Sequence, residues 1–392
     1  MSHLFNTYAR MPVTLVRGDG AWLFDDQGRR YLDALSGIAV CSLGHAHPRI
    51  AGVIADQAAT LIHTANIVHL REQEALAERL WELSGLERVF LANSGAEAIE
   101  CALKLARRHA HARAIDQPAV LVASDSFHGR TLAALSASGN AAIQDGFGPL
   151  VPGFVRVPYD DAQAAAQAFA DHPDIVAVLV EPIQGEGGVR VPGSGYLGAL
   201  RQLCDQHQAL LILDEIQTGI ARTGRWFAFQ HEPDLRPDVV TVAKALGNGI
   251  PIGACLATEA VAALLAPGSH GTTFGGNPFA CRVALEVLTI MQEEQIPARA
   301  ARAGERLLGA LKKQIGDHPQ VADIRGRGLM VGVELSEPCP ELKDTAMSRG
   351  LIINVTRGNT IRLLPPLIVD DEQVDQIASI VSDVVRNKFA PG

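Results

Sequence analysis

Aromatic residues are scarce, at 5% of 392 residues. That argues against an aromatic-rich recognition surface and for close packing of small side chains between helices and a sheet. Six cysteines occur, at 41, 101, 204, 255, 281 and 339, and no two stand in a C-x-x-C spacing. A zinc knuckle and a redox pair are therefore not indicated, and the thiols read as reduced and semi-buried. No metal site is expected. No run approaches the roughly 18 apolar residues that a membrane span needs, and the first residues lack the apolar stretch of a secretory signal. The expected location is the cytoplasm. Positive charge is not in excess either: the net charge is −9. That disfavours nucleic acid and anionic membranes as partners, because both attract clustered Lys and Arg. There is no G-x-S-x-G, no Walker loop and no HExxH. Gly326, Gly328 and Gly332 miss the dinucleotide fingerprint by one place.

Hydrophobic residues make up 47% and charged residues 20%, as in an ordinary globular enzyme. A chain of this length predicts more than one packed domain. Short, continuous apolar runs recur at 88–92, 119–123, 175–180, 210–213, 239–243 and 253–257. Continuity, not alternation, is how strands covered on both faces read. Helical patterns such as 96–109 and 197–207 lie between them. This alternation predicts an α/β fold with a mostly parallel, doubly wound sheet. Beyond residue 285 the texture changes. A charged helical stretch at 286–313 precedes shorter strands at 329–335 and 360–364, and 371–389 carries Val374, Ile377, Val381 and Val384 at helical spacing. The expectation is a large domain over 51–285 and a smaller α+β domain over 286–392, joined in space by an N-terminal segment, 1–50.

In open parallel sheets, ligands sit at the carboxyl ends of the strands, and here those ends carry chemistry. Ser94, Gly95, Ala96 and Glu97 open a helix in a capping-box pattern. Its first N–H groups could face an anion such as phosphate, although a well-capped helix needs no ligand. Asp214 ends a buried strand and calls for a cationic partner: a protonated pyridine nitrogen would serve, as would a structural ion pair. Lys244 ends another strand. Burial would depress its pKa and suit a nucleophilic amine, unless it reaches the surface. Phe127 offers a flat face beside Arg130, which could fork onto a carboxylate. Arg362 lies among apolar residues and needs an anion. His45-Ala46-His47, with no carboxylate or thiol pattern beside it, reads as structural.

Several segments together resemble the class III (ω-amino acid) aminotransferases of fold type I, above all those acting on acetylornithine. They include NSGAEAIECALKLAR, DSFHGRT, VEPIQGEGGV, LLILDEIQTGIARTG, AKALGNGIPIGA, HGTTFGGNP and IRLLPPL, with a lysine thirty positions after the aspartate of the DEIQTG box. The resemblance implies pyridoxal 5′-phosphate as cofactor. Lys244 would anchor it and move a proton, Asp214 would pair with its pyridine nitrogen, and Gln217 would bond its phenolic oxygen. Phe127 and Ile216 would cover the ring, and Ser94, Gly95 and Ala96 would hold the phosphate. Thr273 from a neighbouring subunit would complete that site, so a homodimer with shared active sites is implied. Glu186 would mask Arg362 until the acceptor arrives, while Arg130 would bind the donor's carboxylate.

The implied reaction moves the δ-amino group of N2-acetylornithine to 2-oxoglutarate, giving glutamate, in arginine biosynthesis. Ornithine-using relatives have a tyrosine where this chain has Ile38, whose side chain cannot hold a free α-ammonium. An acylated donor is therefore favoured over ornithine. Residues 41–43 and 66–69 match no specificity pattern. Succinylornithine, N-succinyl-diaminopimelate, ornithine and 4-aminobutyrate stand as alternative donors, and a fold-type-I mutase or decarboxylase as an alternative reaction.

Overall fold

The computed structural model describes residues 3–389. Residues 1–2 and 390–392, the outer ends of the 1–50 and 286–392 segments, lie outside the described residues. Near the N-terminus, β1 (Leu15–Asp19), β2 (Trp22–Asp25) and β3 (Arg30–Asp33) form an antiparallel ribbon. The central sheet comprises β4 (Arg88–Ala92), β5 (Ala119–Ala123), β6 (Phe154–Val157), β7 (Ile175–Val180), β8 (Leu210–Asp214), β9 (Val239–Val242) and β10 (Gly253–Ala257). Its spatial order is β4-β10-β9-β8-β7-β5-β6. The pairs among β6, β5, β7, β8 and β9 are parallel, and β10 runs antiparallel to both its neighbours. The remaining strands are β11 (Val321–Arg327), β12 (Met330–Leu335), β13 (Leu351–Ile352), β14 (Asn354–Thr356) and β15 (Thr360–Leu363). Four of them form an antiparallel sheet in the order β11-β12-β15-β14, while β13 pairs in parallel with β3.

Every residue of β5, β7, β8, β9 and β10 is buried, which is why these segments carry unbroken apolar runs. β6 escaped the sequence pattern. It is an edge strand, half-buried, and it contains Arg156, which donates to the backbone oxygens of Ser136 and Ser138. The stretch at 286–313, expected as one helix, is two: Pro278–Glu293 and Ile296–Ile315. Gln295 between them is left-handed, with φ of 53°. Pro297 has no N–H to offer the carbonyl four residues back, so the first helix cannot run through it. The helix Gly95–Ala112 buries Ala98, Ile99, Ala102, Leu103, Ala106 and Ala110 on one face. That stripe packs it on the central sheet and fixes its N-terminus beside the carboxyl ends of the parallel strands.

Candidate active site

At that edge lies a cavity of about 400 Å³, a size suited to a small-molecule ligand. It draws walls from the loops after β4, β5, β7, β8 and β9. Of the residues singled out from sequence, Ser94, Gly95, Ala96, Phe127, Arg130, Glu186, Asp214, Ile216, Gln217 and Lys244 all line it. Arg362 reaches its edge through Glu186, whereas Ile38 and Thr273 are not among the lining residues. Ile38 is 37% exposed with a left-handed φ of 66°, and Val40 lines the wall instead. Thr273 is exposed beside Phe274, itself 60% exposed.

Ser94 caps the helix Gly95–Ala112, its Oγ accepting from the Glu97 N–H at 3.2 Å. The box does not close as expected. Glu97 turns its carboxylate to the backbone N–H and side-chain amide of Asn93, one residue earlier. The first-turn N–H groups of a helix have no backbone partner within it; Ser94 takes that of Glu97, and Gly95 and Ala96 line the cavity. A Cβ at 95 would stand 2.7 Å from Ile216 Cδ1, so a larger residue there would push Ile216 toward the cavity.

Asp214 is buried at the end of β8. Its Oδ1 accepts from the Ile216 N–H at 3.1 Å, and its Oδ2 meets His128 Nδ1 at 2.7 Å. Nearby, Glu181 accepts from the backbone N–H groups of Phe127 and Gly185, each at 3.0 Å. Burial pushes the Glu181 carboxyl up to about 7; the charge of Asp214 pushes the same way, and His128 opposes. Donor atoms of His128, Glu181 and Asp214 lie within 4.8 Å of one another. His128 Nε2 is buried without a partner among the described residues. Within their motifs His128 and Glu181 carry no signal of a role, because only their convergence on Asp214 distinguishes them.

Lys244 follows β9 with a left-handed φ of 41°, a conformation costly for a residue with a side chain and typical of functional sites. Burial, then the charge of Arg362, hold its ammonium below the usual lysine range, while Glu186, Asp214 and Glu181 oppose. A shift in that direction favours the neutral amine, the form that acts as nucleophile or base. The Arg362 side chain is fully buried, and its Nη1 donates to Glu186 Oε1 at 2.6 Å and to Gln217 Oε1 at 3.3 Å. The Arg130 guanidinium lies 5.4 Å from the Phe127 ring centre. The folded chain supplies what the sequence lacked around His45: Asp33 lies 2.8 Å from its Nε2, and hydrogen bonds to Asp33 and then Cys41 push the imidazole up to about 9.

A pyridine ring carrying a phosphate arm fits these residues. Asp214 offers a buried anion for a ring N–H, and the helix N-terminus at Gly95 and Ala96 offers backbone donors to phosphate.

Comparison with known proteins identifies the family. The family model described as aminotransferase class-III matches residues 5–385. Acetylornithine aminotransferase of Nitrosomonas europaea is 51% identical over 385 residues, 98% of each chain. That of Methanothermobacter thermautotrophicus is 45% identical, over 98% of this chain and 96% of the relative. Among solved structures, ornithine aminotransferase of Toxoplasma gondii superposes with a TM-score of 0.94 at 37% identity, covering 98% of this chain and 94% of that one. Acetylornithine aminotransferase of Elizabethkingia anophelis gives 0.87 at 34% identity, over 98% and 96%. With a family model spanning nearly its whole length and relatives this similar end to end, the chain belongs to the class-III aminotransferases.

Proposed function

We propose that this aminotransferase carries the δ-amino group of N2-acetylornithine to 2-oxoglutarate, using pyridoxal 5′-phosphate, and so serves arginine biosynthesis. The observation that carries the reading is the Glu186–Arg362 pair beside Lys244 and Asp214. A donor with a distal amine and an acceptor with an α-carboxylate make opposite demands on one site, and an arginine that a carboxylate can mask meets both. The full-length identity to acetylornithine aminotransferases supports the choice of donor.

In this reading Ser94, Gly95 and Ala96 hold the phosphate, Asp214 the ring nitrogen, Gln217 the phenolic oxygen, and Phe127 and Ile216 the ring faces. When bound, the cofactor supplies a carbonyl carbon that carries the amino group and a ring that takes up electron density. Lys244 Nζ anchors the cofactor and then, as the free amine, moves the proton removed from the substrate carbon. His128 keeps Asp214 oriented through Nδ1. Arg130 holds the carboxylate of the donor. Glu186 covers Arg362 until the acceptor's α-carboxylate displaces it, a charge-assisted exchange that fits a reversible switch. Thr273 completes the phosphate site of a second copy in a homodimer, and the enzyme works in the cytoplasm. Residues 51–285 form the cofactor-binding domain, with 1–50 and 286–392 as the smaller one.

The test is a half-reaction screen. The holoenzyme is mixed with N2-acetylornithine, N2-succinylornithine, N-succinyl-diaminopimelate, ornithine and 4-aminobutyrate, and the change of the cofactor from aldehyde to amine form is followed by absorbance. Acetylornithine is expected to react fastest. Ornithine as good or better would overturn the reading of Ile38, and turnover without any keto-acid acceptor would favour a mutase or decarboxylase.

A further inference from the structure

Arg362 carries a permanent charge on a side chain that is fully buried, yet it is only partly satisfied. Glu186 meets it through Nη1 alone, so the pair is not a fork-on-fork match. Nη2 has no partner among the described residues. The third nitrogen, Nε, donates to Asn354 Oδ1 at 3.2 Å. Asn354 stands directly opposite Arg362 across the β14–β15 ladder, and residues so paired share a face of the sheet. On the other side, β12 presents Gly332 opposite Arg362. A side chain at 332 would meet Val189 Cβ at 2.9 Å. Within the ladder, therefore, Asn354 is the cross-strand neighbour with a polar atom for Nε. It is neutral, so it orients the guanidinium without cancelling its charge.

Two residues further along β14, and so on the same face, Thr356 donates its hydroxyl to the backbone oxygen of Glu186. One three-residue strand thus grips both members of the switch, the arginine by its side chain and the glutamate by its main chain. With Nε occupied, the edge left for an incoming carboxylate is Nη1–Nη2. With the Glu186 backbone tied down, its side chain, 35% exposed, is the part free to swing away.

We propose that Asn354 is a positioning residue that turns the Nη1–Nη2 edge of Arg362 toward the cavity and so sets how tightly the α-keto acid acceptor is held, with Thr356 fixing the pivot of Glu186. This rests on the proposed role of Arg362 in acceptor binding, and the two can be told apart. The amine form of the holoenzyme is titrated with 2-oxoglutarate, and the donor half-reaction is measured separately, for wild type, Asn354→Asp, Asn354→Ala and Arg362→Leu. Asn354→Asp sets a carboxylate on Nε and competes with the ligand. It should weaken acceptor binding at least about tenfold, as expected for a charge-assisted contact. Asn354→Ala, which removes one hydrogen bond from the guanidinium Nε, should weaken it roughly fivefold. The limiting rate of the acceptor step and the donor half-reaction should stay within about threefold of wild type, a split that a general loss of structure cannot produce. Equal slowing of both half-reactions, or acceptor affinity unchanged in both Asn354 variants while Arg362→Leu abolishes it, overturns the role of Asn354 alone. Unchanged affinity in Arg362→Leu overturns the acceptor role of Arg362 and this inference with it. If Asn354→Asp does not retain cofactor, Asn354→Ala decides.

Discussion

Gly95→Ala should weaken cofactor binding while leaving the cofactor-free protein as stable as before. The added Cβ would stand 2.7 Å from Ile216 Cδ1 and 3.1 Å from both Cγ1 and Cγ2. Carbon pairs settle at roughly 3.5–4.0 Å, so the overlap with Cδ1 is about an ångström. Turning Cδ1 away is not enough, because the two Cγ atoms also crowd the new methyl. Ile216 must move as a whole, and the space open to it is the cavity. In the cofactor-free protein that side of Ile216 borders the cavity. Alanine also narrows the unfolded ensemble, which is worth about 0.4–1 kcal/mol in favour of folding. With the ring in place, the same shift becomes overpacking, at about 1–3 kcal/mol. At about 1.4 kcal/mol per tenfold, binding should weaken roughly 5- to 150-fold. The assay titrates cofactor-free wild type and variant with pyridoxal 5′-phosphate by absorbance or tryptophan fluorescence, and records thermal melts of both forms. A dissociation constant within twofold of wild type would refute the reasoning, as would a large drop in the melting temperature of the cofactor-free variant.

Two further outcomes follow from buried charges. Burial moves Glu181 from its ordinary 4.5 to about 7. Between those values the folded state binds the extra proton, so the contribution to stability is full below pH 4.5 and is lost as pH rises to about 7. The loss is at most on the order of 3 kcal/mol. Denaturant unfolding of the cofactor-free protein at several pH values should give wild type a downward slope relative to Glu181→Gln across that window; parallel curves would sink the idea. Arg222 is fully buried, and its guanidinium donates to the carbonyls of Leu329 and Pro365 and to the Ser42 hydroxyl. It thereby joins the N-terminal segment, the central sheet unit and the C-terminal strands. Arg222→Met leaves those acceptors unpaired and should cost about 3 kcal/mol by denaturant unfolding, and a neutral or stabilising result would contradict this account.

Much of the fold was legible because its signals are local. Burial on both faces writes unbroken apolar runs into β5, β7, β8, β9 and β10, and the polar residues at the carboxyl ends of the parallel runs β5, β7, β8 and β9 mark the sheet edge where ligands bind. β6 wrote no such run, since an edge strand with Arg156 half in solvent need not be apolar. The break at Gln295 had a visible cause in Pro297, outweighed in the pattern by good helix formers on both sides. The candidate site was legible to the extent that residue type implies chemistry. A lysine and an aspartate at buried strand ends are costly without use, and a capped glycine turn suits an anion.

By itself the sequence determined the alternation of strand and helix, the family, and the side chains set at the strand ends, because periodicity and motif spacing act over a few residues. Tertiary structure alone decided which distant residues share a proton or a charge. Asp214 met His128 from the loop after another strand, and Glu181 gained a raised pKa from burial that no neighbour in sequence supplies. His45 found Asp33 and Cys41, and Arg362 found Asn354 across a hairpin and Glu186 from far along the chain. Those contacts depend on strand order and register, and they set the electrostatics of the cavity, which falls off too steeply with distance and burial to be read from a linear pattern.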